Sequence, residues 1–182
     1  MKRFLMLALC MALSIIGYSQ DIVTAKGATI SFYSSAPLED IEAKSTQAVS
    51  AINIKTRAIN FQVPITSFEF EESLMQEHFN SEYMESGKYP NSVFNGKITD
   101  NVDLSKDGTY NVTVTGTLNL HGVSKAYTVK ATIVAQGGAL KANAKFNVRL
   151  ADHNIKIPTI IVKNIAEVVA VTVNGTYMAM GK

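Results

Sequence analysis

The chain has 182 residues, of which 47% are hydrophobic and 18% charged, a composition that indicates a folded domain and not a disordered tail. Its 17 basic and 15 acidic side chains differ by two, and Lys2 and Arg3 account for that difference. Because the rest of the chain has no basic surplus and no basic run, the sequence argues against nucleic acid as a partner.

The first 20 residues have the pattern of an export signal. Lys2 and Arg3 form a positive start, residues 4–16 are an apolar run interrupted by Ser14, and small or polar residues follow. The run is too short to span a bilayer, and no second long apolar segment follows, so no stable membrane span is expected. We predict a signal peptide over residues 1–20 and a single domain over residues 21–182, located in the periplasm or secreted. The only cysteine, Cys10, lies within the signal, which excludes a disulfide framework and a cysteine nucleophile from the mature chain.

Hydrophobic and polar side chains alternate along two long segments. At residues 110–120 the even positions are apolar or glycine and the odd positions are Asn or Thr, and residues 140–150 repeat the alternation. A period of two is typical of a strand with one buried face. Weaker copies bring the number of predicted strands to about eight. They cover Ala28–Phe32, Ile41–Ala43, Ile59–Ile65, Phe94–Ile98, Tyr127–Ile133 and Val169–Tyr177.

Turn residues lie between these segments. Asp107-Gly108, His121-Gly122 and Gly137-Gly138 predict short reversals between antiparallel neighbours. The alternation slips by one residue near Arg57, which predicts a bulge or bend there.

Residues 71–83 do not alternate. Apolar side chains and one histidine recur there at three- and four-residue spacing, which predicts a short amphipathic helix packed on or across the sheet. They are Leu74, Met75, His78, Phe79 and Tyr83.

An antiparallel sheet of eight strands has two exposed edges unless it closes, and closure into a barrel removes them. We therefore predict an all-β fold, an eight-stranded antiparallel barrel with a short helix around residues 71–83. Eight strands enclose an interior that is either filled or holds one ligand. Gly96, Gly116, Ala142 and Ala144 on the apolar faces favour a cavity, whereas bulky residues opposite them would fill it, and the sequence leaves both readings open.

Three segments resemble one known family. They read MQEHFNSEYMESGKYP at residues 75–90, VFNGKI at residues 93–98 and VTGTLNLHGVSK at residues 114–125. In this order and spacing they resemble the YceI family of exported bacterial proteins, also described as polyisoprenoid-binding or lipid-binding-like, over residues 27–177. The resemblance implies an extended, lipocalin-like barrel whose elongated apolar pore takes a long-chain isoprenoid or a similar amphiphile.

Two groups of candidate binding residues follow if the apolar face of the strands is the lumen. The residues expected to line the pore are Phe32, Phe61, Phe94, Tyr110, Leu118 and Phe146. The residues expected near a ligand's head group at the pore mouth are His78, Tyr83, Tyr89, His121, Lys125 and Arg149. Each member of the second group has a structural alternative, such as a helix-to-sheet contact for His78 and the two tyrosines, a solvated turn for His121, and a water-exposed cation for Lys125 and Arg149.

The sequence contains no enzyme motif and no metal-binding spacing. The three histidines are 43 and 32 residues apart, without a His-x-His or His-Glu-x-x-His pair, and His153 beside Asp152 fits an exposed loop as well as a tautomer-fixing pair. We therefore expect no metal, no cofactor and no catalysis.

The leading hypothesis is a carrier of a lipid-like small molecule. One alternative is a structural or stress-protective envelope protein with a filled barrel. The other is a hydrolase of lipid-like substrates that uses His78 or His121. The sequence also leaves open whether the protein forms a homodimer.

Overall fold

Alternating burial produces nine antiparallel strands in the computed structural model, which describes residues 21–36, 40–157 and 165–179. The predicted signal peptide, residues 1–20, lies outside the described residues. The strands are β1 (Ile22–Ser35), β2 (Asp40–Asn53), β3 (Ala58–Pro64), β4 (Glu69–Phe70), β5 (Asn91–Ile98), β6 (Gly108–Leu120), β7 (Val123–Gln136), β8 (Ala139–Arg149) and β9 (Val168–Ala179).

Eight of these strands close into a ring. Their order is β1-β9-β8-β7-β6-β5-β3-β2, and β2 pairs back with β1, so each strand of the ring has a neighbour on both sides. The two-residue strand β4 pairs with β2 at Ala43–Phe70, beyond the stretch of β2 that pairs with β3. The predicted eight-stranded antiparallel barrel with a short helix is confirmed.

Two of the predicted reversals are tight hairpin turns. His121-Gly122 joins β6 to β7 and Gly137-Gly138 joins β7 to β8, and all four residues have positive φ. Such turns match the twist of the strands and favour glycine. The turns define two ends of the barrel. We call the end with His121-Gly122 and the helix the helix end, and the end with Gly137-Gly138 the loop end.

The slip in alternation near Arg57, where a bulge or bend is predicted, lies at a turn of the chain. Residues 54–56 form a turn between β2 and β3, and Arg57 adopts a positive φ of 65°. Asn53 supports this turn, because its side-chain oxygen accepts hydrogen bonds from the backbone N–H groups of Lys55 and Thr56. The change of phase therefore marks the reversal of a hairpin.

The helix α1 (Ser73–His78) continues into one turn of π-helix at residues Phe79–Tyr83. Met75, Phe79 and Tyr83, spaced four residues apart, face the barrel interior. Leu74, which the sequence pattern assigns to the apolar face, is 59% exposed. The buried face of this helix is thus narrower than the apolar face predicted from the sequence. No helix in the described part of the chain is long and apolar enough to cross a membrane.

The loop end is packed solid. Ile98, Val112 and Leu140 are almost completely buried there, and Leu104, from the loop between β5 and β6, is buried against the same cluster. We call this cluster at the loop end the solid base. The space inside the barrel lies between the solid base and the helix.

Candidate functional site

An apolar cavity of about 150 Å³ lies under the helix at the helix end; we call it cavity 1. Four phenylalanines form one cluster beside it, with ring centroids 4.9 to 5.9 Å apart, and Phe32 stacks on Phe79 of the π-turn. The other two rings are Phe68 and Phe70, which come from the segment between β3 and the helix. The helix thus covers the cavity through aromatic contacts.

A second apolar cavity of about 120 Å³, cavity 2, lies deeper in the barrel. The two cavities adjoin, because both are lined by Ile30, Val63, Ser92, Leu118 and Phe146. Small side chains make the room in cavity 2, among them Ala131, Ala142 and Ala144. None of the described residues that line either cavity is charged.

The barrel wall changes character beside cavity 2. The ladder between β7 and β8 runs only from the Gly137-Gly138 turn to the pair Ala131–Ala144. Beyond that pair, the ring of Tyr127 on β7 meets Phe146 on β8 edge-on, with centroids 6.0 Å apart. Side-chain contacts therefore replace backbone pairing in this part of the wall.

A fully buried histidine holds Tyr127 in place. The Tyr127 hydroxyl lies 2.9 Å from Nε2 of His153, and Nδ1–H of His153 donates to the carbonyl of Val123 at 3.1 Å. The carbonyl can only accept, so Nδ1 carries a proton. Burial raises the pKa of Tyr127, and the charge of Asp152 adds to the effect. The exposed-loop interpretation of His153 is wrong, because the chain folds this residue under β7.

His121 ties the helix end together. Its Nε2 lies 2.8 Å from the Glu85 carboxylate and its Nδ1 lies 3.1 Å from the carbonyl of His153. Both partner atoms are hydrogen-bond acceptors. The ring of Tyr89 packs edge-on against it, with centroids 4.6 Å apart. His121 is therefore neither a solvated turn residue nor a cavity residue; it joins the β6–β7 turn to the segment that follows the helix.

The structure places the six predicted pore residues in two regions. Phe32, Leu118 and Phe146 lie in the lining of cavity 1, and Phe61 and Phe94 join Leu118 and Phe146 in that of cavity 2. Tyr110 lines neither cavity. Its hydroxyl donates to the carbonyls of Asp103 and Lys106 at the loop end, and its ring packs on the solid base.

The predicted head-group residues do not converge. Tyr83 lines cavity 1, and burial raises the pKa of its phenol. Tyr89 and His121 contact each other at the helix end, and His78 is the half-buried last residue of α1. Lys125 and Arg149 are exposed on the outer surface, with Arg149 3.9 Å from Glu167. The two cations are therefore not placed to meet a group inside the barrel.

Several lining residues were missed from the sequence. Phe68 and Phe70 fall between the predicted strand at Ile59–Ile65 and the predicted helix. The available signal was the short alternation Phe68-Glu69-Phe70, which is too brief to predict a strand by itself. Within the described residues, no three side chains that could hold a metal ion come together.

These features define an antiparallel β-barrel that a short helix covers at one end, with two adjoining cavities to whose lining no charged residue among those described contributes. Residues 22–177 match the YceI-like domain, and the chain belongs to that family. It is 30% identical over 105 residues to Protein YceI of Escherichia coli, covering 54% of this chain and 52% of the relative. It is 31% identical over 112 residues to a UPF0312 protein of Vibrio campbellii, covering 58% and 56%. The chain thus spans about half the length of the curated relatives it matches.

Solved structures share the fold at low identity. A polyisoprenoid binding domain from Saccharophagus degradans, implicated in plant cell wall breakdown, superposes with a TM-score of 0.74 at 16% identity, covering 87% of this chain and 98% of that one. BcnA of Burkholderia cenocepacia gives a TM-score of 0.69 at 15% identity, covering 82% and 95%. At these identities the likeness establishes the fold alone.

Proposed function

We propose that this protein is a non-enzymatic binding protein that holds the apolar tail of a lipid-like molecule inside its barrel. The observation that carries the proposal is the pair of adjoining cavities lined by apolar side chains and by no charged residue among those described. A charged group buried there would lose its hydration without gaining a partner, so the interior favours hydrocarbon.

The Saccharophagus domain suggests the class of ligand, since it is described as polyisoprenoid binding. An isoprenoid or a similar long-chain amphiphile fits a narrow interior lined by branched and aromatic side chains. Burying on the order of 500 Å² of its surface at about 25 cal/mol per Å² contributes roughly 12 kcal/mol before the cost of association. An association cost of about 4 kcal/mol, the low end of the usual range, leaves about 8 kcal/mol, which corresponds to roughly micromolar binding.

The cavity volumes constrain how such a ligand is held. An apolar cavity of about 150 Å³ accommodates a molecule of the size of benzene. Each cavity alone therefore holds only part of a long chain, so the tail occupies both in series. Phe32 and Phe79 lie beside the outer cavity, and we expect their rings to rotate as the tail enters.

The remaining roles follow from this arrangement. Phe61, Phe94, Leu118 and Phe146 contact the tail, and the head group lies at the helix end, near Tyr83. A protein exported after removal of residues 1–20 would use this affinity to sequester or carry a water-insoluble molecule in the periplasm or outside the cell.

The test has two parts. Organic extracts of the purified protein are analysed by mass spectrometry for a co-purified amphiphile, and the delipidated protein is titrated with the neutral apolar fluorophore N-phenyl-1-naphthylamine. Uptake of one probe molecule per chain is expected. Ala144→Phe, which fills cavity 2, is expected to weaken uptake at least tenfold, whereas Lys145→Phe, on the exposed face of the same strand, leaves it unchanged. A folded protein that yields no amphiphile and takes up no probe would instead favour the structural envelope role with a filled barrel.

A further inference from the structure

Tyr177 forms the deep boundary of cavity 2. Its side chain lines the cavity, yet the residue is only 4% exposed. Its partner in the β8–β9 ladder is Leu140, which belongs to the solid base of the barrel. The open interior therefore stops at the Tyr177 ring.

A hydrogen-bond chain fixes this ring. The Tyr177 hydroxyl donates to Oγ of Ser50 at 2.9 Å, and Ser50 in turn donates to the carbonyl of Asn60 at 2.7 Å. Tyr177 lies on β9 and Ser50 on β2, with β1 between them, so the side chain reaches over about 10 Å of the wall at about 4.8 Å per strand. Both hydroxyl groups have partners, which makes the boundary rigid.

The Tyr177 ring packs over a glycine. A Cβ atom at Gly175 would lie 2.8 Å from Cε2 of Tyr177, closer than real Cβ contacts come. Gly175 pairs with Ala142, a small residue in the lining of cavity 2. A side chain at position 175 would therefore push the ring away from the wall and into the interior.

The length of the open interior follows from the same strand. Residues of β9 from Val169 to Tyr177 line the two cavities, a stretch of roughly 27 Å at about 3.4 Å per residue. With a strand tilt of about 40°, this corresponds to roughly 20 Å along the barrel axis. A tail that enters from the helix end therefore meets Tyr177 with its terminal carbon atoms.

We propose that Tyr177, held by Ser50, sets the maximum length of the apolar tail that the barrel accepts. The proposal rests on the binding function proposed above, and it names the residue that selects among ligands of one chemical class. Removing the ring extends the interior toward Ala179, two residues further along β9. That is roughly 5 Å along the axis, or three to four carbon–carbon bonds at about 1.5 Å each.

The experiment measures the chain length above which the affinity for a straight-chain ligand stops rising, which we call the limit. Straight-chain primary alcohols, lengthened by two carbons at a time, compete with N-phenyl-1-naphthylamine for the delipidated protein. In the wild type, affinity is expected to rise severalfold per step and then to stop rising at one length. Tyr177→Ala is expected to move that limit up by about two to four carbons. Tyr177→Phe, which keeps the ring, leaves it in place, and so does Tyr110→Ala, which truncates a tyrosine of the solid base.

A second variant, expected to shift the limit in the opposite direction, keeps the proposal testable if Tyr177→Ala does not fold. Gly175→Ala places a methyl group where the ring packs, which displaces the ring from the wall into the interior, and is expected to shorten the limit by about two carbons. An unchanged limit in folded Tyr177→Ala, or in Gly175→Ala if the first variant does not fold, would overturn the proposal while leaving the binding function intact. A wild type that binds neither fluorophore nor alcohol would overturn both.

Discussion

Replacing His153 with alanine is expected to lower the free energy of unfolding by about 3–5 kcal/mol. His153 is fully buried and makes two hydrogen bonds, one with the Tyr127 hydroxyl and one to the carbonyl of Val123. The substitution leaves two partly buried groups without this bond, at the lower end of about 1–3 kcal/mol each. The vacated ring volume adds a cavity penalty that partial collapse reduces.

Urea denaturation monitored by far-UV circular dichroism measures this difference, provided that the unfolding free energy depends on urea concentration with the same slope in both proteins. Asp152→Ala, at the exposed neighbouring position, is the matched control and should change stability by less than about 0.5 kcal/mol. A double-mutant cycle with Tyr127→Phe isolates the Tyr127–His153 bond, for which we expect a coupling of about 1 kcal/mol. A loss below about 1 kcal/mol in His153→Ala, or a coupling of zero, would show that the network does not stabilise the wall between β7 and β8.

Two further predictions concern pH and the hairpin turns. Burial raises the pKa of Tyr177 above its ordinary value of about 10, so the folded protein keeps a proton that the unfolded chain loses. Stability should therefore be level with respect to this group below about pH 10 and fall above it, and urea titrations should show a shallower fall in Tyr177→Phe. Gly122→Ala should cost more than Gly137→Ala in thermal denaturation. Both sites have positive φ, at about 1–2 kcal/mol of strain, but only at Gly122 would the new Cβ lie 2.5 Å from the ring of Tyr89. Equal losses would show that Tyr89 moves aside freely.

Local pattern was sufficient to predict most of the barrel. The alternation at residues 110–120 and 140–150 survives in β6 and β8 because each strand has one face toward water. Where a backbone irregularity interrupts the alternation, the prediction is too short. The predicted strand begins at Ala28, but β1 begins at Ile22, since a register shift beside Gly27, whose φ is 74°, breaks the pattern while hydrogen bonding continues.

The site was harder to predict, since alternation gives the face of a strand but not the height along the barrel. Tyr110 and Leu118 lie on the same face of β6, yet Tyr110 packs on the base and Leu118 lines both cavities. The height depends on which strands pair and in what register, which is a long-range property. The burial of His153 likewise depends on the fold of the segment after β8 against β7, and no local spacing marks it.

Glycines beside aromatic residues explain how one barrel is open at one height and closed at another. At Gly96 and Gly116, which pair across β5 and β6, an added Cβ would come within 2.6 Å of the Phe94 ring. Phe94 therefore lies flat over the two glycines, against the wall, and leaves the middle of the barrel free. The Tyr177 ring similarly leans over Gly175, but its hydroxyl is drawn to Ser50, two strands away, so the same kind of pair closes the interior. The composition of the inward faces was equally consistent with an open and with a filled barrel. Whether the interior is open depends on where an aromatic ring is held, and not on how many small residues face inward.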